Sequence, residues 1–363
     1  MTDRTTFDFP ILLVTMVLLG LGVVMVYSSS AILAADRFRD SFYFLKKQAL
    51  FATVGFFLMV VVMHLDYHFW ERLAYPILGA CFLLLVLVLV VGTRAGGSTR
   101  WLYLGSLSFQ PSEPCKLGLV VFLSHFLAKK GEKIKSFQFG FLPAVLISGT
   151  AILLIISQPD FGVALFLGIM VILMLFVAGT RLSYIFSLGL LAIPALYYLI
   201  AKVPYRVQRI MSYLNPWNDP RGISFQIVQS FVAFGAGGFF GAGLGQGKQK
   251  LFFLPAPHTD FIFSVIGEEM GLVGAFIVLG LYLVLTVRGV RVSLAAPDEF
   301  GTFLGLGITS LISLQALINM AVVLGLLPTK GLTLPLISYG GTSLVTSLVS
   351  VGILLNISSQ TRY

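Results

Sequence analysis

Charge is what this sequence most lacks. Only 11% of its 363 residues are charged, against 57% apolar, where a soluble chain of this length would carry about a quarter. So few ionic groups cannot cover a water-exposed surface, and the mean hydropathy of +0.95 makes lipid the solvent for most of the chain. That excludes a soluble globular enzyme, and nothing suggests a nucleic-acid partner. Cysteine is nearly absent too. Cys81 and Cys115 fall in or beside apolar runs, with no spacing suited to a metal, so packing is their expected role. Internal repeats and low-complexity tracts are missing, which leaves one membrane domain over residues 1–363. The amino end also lacks the basic excess of a secretory signal. Asp3, Arg4 and Asp8 precede an apolar core, Phe9 to about Ala34, that is too long for one, so it reads as a retained first span.

What is present is a series of long apolar runs. A bilayer core takes about 20 apolar residues per helix. Backbone polar groups must be satisfied inside it, so only helices or a closed barrel will serve. Runs such as Leu83–Val91 do not alternate with polar residues, which favours helices. The expected fold is therefore an all-α polytopic membrane protein with about ten transmembrane helices, near 9–32, 47–64, 73–92, 114–128, 140–157, 160–178, 182–200, 259–287, 300–326 and 340–358. A large loop, 201–258, lies between the seventh and eighth. It contains two amphipathic pieces, Val203–Leu214 and Ile223–Phe234, read as short helices on the membrane or folded back into the protein. The basic cluster Lys129, Lys130, Lys133 and Lys135, with Arg181, Arg288 and Arg291 on the same side, makes that side cytoplasmic and puts both termini inside. The opposite side keeps many cations, among them Arg37, Arg100, Lys202, Arg206, Arg209, Arg221, Lys248, Lys250 and Lys330. Either they are paired or solvated, or an anionic ligand is handled at the outer face.

Several constellations carry chemistry. The glycine-rich run Gly235–Lys248 fails the phosphate-loop pattern, since Ala242 stands at its first glycine and Gln249 follows the lysine; a flexible or tightly turned loop fits better. After Leu254-Pro255-Ala256-Pro257, His258-Thr259-Asp260 opens the eighth span. Asp260 is expected in its first turn, where free amides and the helix dipole favour an anion against desolvation. It is then a base or cation ligand at the mouth of a cavity, or simply a cap. Glu268 and Glu269 lie roughly 12 Å deeper. On helical geometry Glu268 falls near the face of Asp260 and lines the same cavity, while Glu269 bonds to a neighbouring helix. Glu113 and Lys116, three apart at the start of the fourth span, are either a structural ion pair or place Lys116 where it meets a phosphate. Arg100-Trp101 adds a cation just upstream. Asp160, after Pro159, is more naturally a helix cap than a catalyst.

These stretches resemble the SEDS family of lipid II polymerases, the shape, elongation, division and sporulation proteins. The likeness rests on Tyr27-Ser28-Ser29-Ser30, on Arg100-Trp101 with Gln110-Pro111-Ser112-Glu113 and Lys116, and on Gln158-Pro159-Asp160-Phe161-Gly162. It continues through His258-Thr259-Asp260-Phe261-Ile262-Phe263 with Glu268-Glu269, and Pro335-Leu336-Ile337-Ser338-Tyr339-Gly340-Gly341. Lys250–Pro255 and Thr329–Pro335 look like the division branch; Pro114-Cys115 departs from the usual pattern. The resemblance implies a peptidoglycan glycosyltransferase of the bacterial inner membrane, serving cell division. Such an enzyme adds the disaccharide-pentapeptide of lipid II to a nascent glycan and releases undecaprenyl diphosphate. It implies a class B penicillin-binding protein and other divisome membrane proteins as partners. Asp260 matches the family's essential aspartate. The cofactor stays open: none, or a divalent cation (magnesium or manganese) at Asp260. Lys116, Arg100, Arg206 and Arg209 are candidates to receive the diphosphate, with Glu113, His258 and Glu268 beside the substrate. A lipid II flippase and a non-catalytic scaffold are the alternatives.

Overall fold

The computed structural model describes residues 7–361 apart from 96–97, 106, 221, 223, 252–253, 255 and 330; Arg221, Pro255 and Lys330 thus lie outside the described residues. In chain order come α1 (Phe9–Phe38), α2 (Tyr43–Met63), α3 (His68–Arg72), α4 (Ala74–Val91), β1 (Thr93–Ala95), β2 (Ser98–Leu104), β3 (Leu107–Phe109), α5 (Ser112–Lys130), α6 (Leu142–Ser157), α7 (Phe161–Val177), α8 (Leu182–Ala201), α9 (Pro204–Leu214), α10 (Phe225–Gly237), α11 (Ile262–Leu294), α12 (Glu299–Val323) and α13 (Gly341–Gln360). Among the described residues eight helices are long and apolar enough to cross a membrane: α1, α2, α4, α6 with the turn before it, α8, α11, α12 and α13. The remaining two predicted spans are α5, whose charges kept its hydropathy low, and the 17-residue α7. All ten predicted spans are helices.

Short side chains start several of them. Asp8 accepts from the amide of Ile11, Asp160 from Val163 and Asp298 from Gly301, each satisfying an amide that the first turn leaves free. The core is centred on α5, α12 and α13, and α2 packs along α13. Cys81 and Cys115 are buried, facing each other between α4 and α5, as packing residues. By contrast α8 has no buried residue and is a marginal, lipid-facing span.

The loop after α8 is built as predicted in one respect: α9 and α10 are short helices. On the face that carries this loop, α9 lies across the ends of α7 and α8. The Arg206 guanidinium donates to the Leu199 carbonyl (2.6 Å) and sits 4.9 Å over the Phe161 ring. Helix α10 folds back into the body, where the Ser230 hydroxyl donates to the Val323 carbonyl (2.6 Å).

The glycine-rich run then resolves a problem at membrane depth. Helix α11 is not continuous, for Gly271 has φ 67° and ψ −164°. A break there frees carbonyls above it and amides below it, which lipid cannot satisfy. The run supplies both sets of partners. The amides of Ala242 and Gly243 donate to the carbonyls of Glu268 and Glu269 (2.9 and 3.0 Å), and those of Leu272 and Val273 donate to Gly238 and Phe239 (2.9 and 3.1 Å). A Cβ at Gly241 would lie 2.2 Å from the Glu269 carbonyl oxygen, so only glycine permits the approach. The tightly turned loop is the correct reading, and its amides at the break are occupied by backbone.

Strands β1–β3 were not anticipated. They form an antiparallel three-stranded sheet pairing Thr93 with Trp101 and Leu102 with Phe109, on the same face as the loop. This sheet carries Arg100.

Candidate active site

Asp260 sits in the turn just before α11, two residues short of the first helical position. It is therefore neither in the helix's first turn nor its cap, which corrects the sequence reading. What fixes it is the backbone. The Tyr339 amide donates to the His258 carbonyl (2.8 Å), the Ser338 hydroxyl to Thr259 (2.7 Å), and the Asn319 carboxamide to Asp260 (2.8 Å). Three successive carbonyls are thus held from α12 and the 335–341 segment.

The carboxylate of Asp260 has no hydrogen bond or ion pair among the described residues. Burial raises its pKa to about 6, and the nearby guanidinium groups of Arg100 and Arg209 pull it down while the Asp160 carboxylate pushes it up. Desolvation wins, because the helix amides expected to oppose it are out of place. The acid is still ionised at neutral pH yet basic enough to take a proton. Gly331 forms the adjoining wall: a Cβ there would stand 3.1 Å from Asp260 Oδ2 and 4.0 Å from Arg100 Nη1.

The predicted cations separate. Arg100 faces the pocket, with Nη1 3.4 Å from Asp160 Oδ2 and its buried Nε unpartnered among the described residues. Asp160 is the cap of α7, as expected. Arg209 donates from Nη1 to the Thr329 carbonyl (2.9 Å) and stacks on Tyr205. Arg206 braces α8 against α9 as described. Lys116 is not at the surface. It is 1% exposed, with Nζ 2.9 Å from Glu113 Oε1 and 2.7 Å from Gln315 Oε1. The ion-pair alternative is what the structure contains.

The remaining acids also have partners. Glu268 does not line the pocket with Asp260, because α11 begins after Asp260 and the angle between them is not helical. Its carboxylate accepts instead from the amides of Lys248 (2.6 Å) and Gln249 (3.1 Å). Glu269 pairs with Lys250 (2.6 Å) and accepts from Ser28 of α1 (2.7 Å), the neighbouring-helix bond anticipated. His258 is buried against Phe44 and Tyr339, and burial, helped by the charge of Arg37, lowers its pKa to about 4. It is a neutral packing group at physiological pH.

Among the described residues no three His, Cys, Asp or Glu side chains converge as a metal site. Around Asp260 there is one further carboxylate, Asp160, already committed to a cap and to Arg100. The other charged neighbours of Asp260 are guanidinium groups, so the described residues offer no closed protein cage for a divalent ion. Sequence reasoning missed Asn319, Gln315 and Gly331, whose roles arise from contacts across the fold.

Fold and site together define a polytopic helical membrane protein with a carboxylate that has no partner among the described residues, beside guanidinium groups on one face. The chain belongs to the FtsW, RodA and SpoVE family of cell cycle proteins, whose family model matches residues 9–363. It is 51% identical over 358 residues to a probable peptidoglycan glycosyltransferase FtsW of Geobacter sulfurreducens, covering 98% of this chain and 96% of that one. It is 47% identical over 364 residues to the stage V sporulation protein E of Bacillus subtilis, covering all of both. A solved chain from a study of how a peptidoglycan synthase complex coordinates polymerization and crosslinking superposes with a TM-score of 0.80 at 34% identity, covering 97% of each chain.

Proposed function

We propose that this protein is a peptidoglycan glycosyltransferase of cell division that polymerises glycan strands from lipid II by inverting transfer. The supporting observation is the Asp260 carboxylate, left without a partner among the described residues and close to two guanidinium groups. In this reading Asp260 takes the proton of the acceptor's sugar hydroxyl as that oxygen attacks the donor's anomeric carbon. The bond to the diphosphate breaks on the opposite face, turning an α linkage into β. Undecaprenyl diphosphate leaves with the bonding electrons. Arg100 and Arg209 stand where that developing charge is stabilised; Lys116, already paired, does not.

The same reading places the loop face outside the bacterial inner membrane and both termini in the cytoplasm, since the Lys129–Lys135 cluster belongs to the opposite face. It assigns a class B penicillin-binding protein as partner, in keeping with the synthase complex that a similar solved chain belongs to.

The deciding experiment incubates purified Asp260→Asn protein with lipid II in detergent, with and without a cognate transpeptidase. The expected result is a folded protein that makes no glycan polymer. Full polymerisation by that variant would remove Asp260 from the mechanism. A flippase or scaffold predicts no polymer from the parent protein either.

A further inference from the structure

We propose that Asn319 is a positioning residue for the reaction: by donating to two backbone carbonyls at once, it sets the gap between the Asp260 carboxylate and the wall made by Gly331. This inference rests on reading Asp260 as the base.

The geometry is specific. Asn319 lies on α12, 2% exposed, and its single carboxamide nitrogen donates to the carbonyl of Asp260 at 2.8 Å and to that of Leu332 at 2.7 Å. Leu332 adjoins Gly331, and Gly331 is the residue whose missing side chain leaves room beside Asp260 Oδ2 and Arg100 Nη1. One amide group therefore clamps the two strands of backbone that bound the reacting space. The clamp has a second point one helical turn earlier. Gln315 donates to the Thr333 carbonyl at 2.9 Å, and its own oxygen accepts from Lys116, which Glu113 holds in turn. Glu113 and Lys116 thus reach the pocket through Gln315 and the 331–335 backbone, without touching it. A buried carboxamide whose two N–H groups are both spent on main-chain carbonyls costs desolvation that simple packing would not require. Rigidity at the reacting centre is what it provides.

The test compares Asn319→Leu, which keeps a similar volume without donors, with Asn319→Gln, which keeps the amide. Turnover is measured per folded, lipid II-binding molecule, with kcat and KM for lipid II taken separately across pH. Misplacing a catalytic group by about 1 Å costs as much as 100-fold. The Leu variant should therefore lose about 10- to 100-fold in kcat with little change in KM. Its acid limb should shift as the carboxylate moves relative to Arg100, and the Gln variant should recover part of the loss. The proposal is overturned if the folded Leu variant turns over like the parent, or if its pH limb stays put while kcat and KM change together. It is also overturned if Gln is as impaired as Leu. Polymerisation by Asp260→Asn would sink the underlying reading, whereas an inert Asp260→Asn beside a fully active Asn319→Leu would sink only the clamp.

Discussion

Replacing Arg100 by glutamine should move the acid limb of polymerisation upward, and the structure sets the size of the move. The atoms flanking Gly331 put Arg100 Nη1 no more than about 7 Å from Asp260 Oδ2. At an effective dielectric of about 20, unit charges at that distance attract by about 2 kcal/mol, equivalent to between one and two pH units. Arg100 keeps some solvent contact at 29% side-chain exposure, so a shift of about one unit is expected. Burial already holds the carboxylate at about 6, and the base works only when ionised, so activity should rise with pH through that value in the parent protein. In the variant the rise should centre near pH 7. About nine-tenths of the carboxylate is ionised at neutral pH in the parent, and about half would be in the variant. The resulting loss at pH 7 is therefore modest, about twofold, and disappears by about pH 9. Any loss that persists on the alkaline plateau measures instead what Arg100 contributes to the departing diphosphate. The assay is the initial rate of glycan formation from lipid II between pH 5 and 9. An acid limb that stays near 6 or moves down would refute the electrostatic account of Asp260.

Gly331→Ala puts a methyl group 3.1 Å from Asp260 Oδ2; expect normal accumulation and melting, but at least a tenfold fall in polymerisation as the space for the incoming hydroxyl is lost. Lys116→Met leaves Glu113 charged and buried, which should cost about 3–5 kcal/mol and show as a lowered melting temperature in detergent. The double replacement Glu113→Gln with Lys116→Met should regain much of that stability and some activity. A stable but wholly inactive double variant would return Lys116 to the substrate.

The spans were legible because long uninterrupted apolar runs have few physical solutions in lipid, and Asp160 read as a cap because proline precedes it and an apolar run follows. Asp260 was legible as an acid poised beside a span, though not its environment. The spacing arguments for Asp260 and Glu268 assumed a helix from residue 259, and the chain turns instead until Ile262. Gly271 gave no warning either, since a glycine within an apolar stretch is compatible with an intact helix. Its break is visible only beside the glycine-rich run that fills it. Lys116 shows the limit most clearly. Its alternatives were evenly balanced from neighbours in sequence, and the deciding partner, Gln315, lies 199 residues away.

Carboxylates are costly at membrane depth unless something answers their charge, and this protein answers nearly every one. Asp8 is paired with Arg288, Glu113 with Lys116 and Glu269 with Lys250, while Glu268 rests on two amides and Asp160 on Arg100 and a helix start. Some of these contacts join segments far apart in sequence, Asp8 to Arg288 and Ser28 of α1 to Glu269 of α11, and so read as registers for the fold. Asp260 is different in kind: the carbonyls of His258, Thr259 and Asp260 are fixed by three outside donors while its side chain is given none among the described residues. A fold that needed this acid only for stability would satisfy the carboxylate and leave the backbone to water. The reverse arrangement suits a proton acceptor, because the group must be held still yet keep its lone pairs open to a substrate hydroxyl.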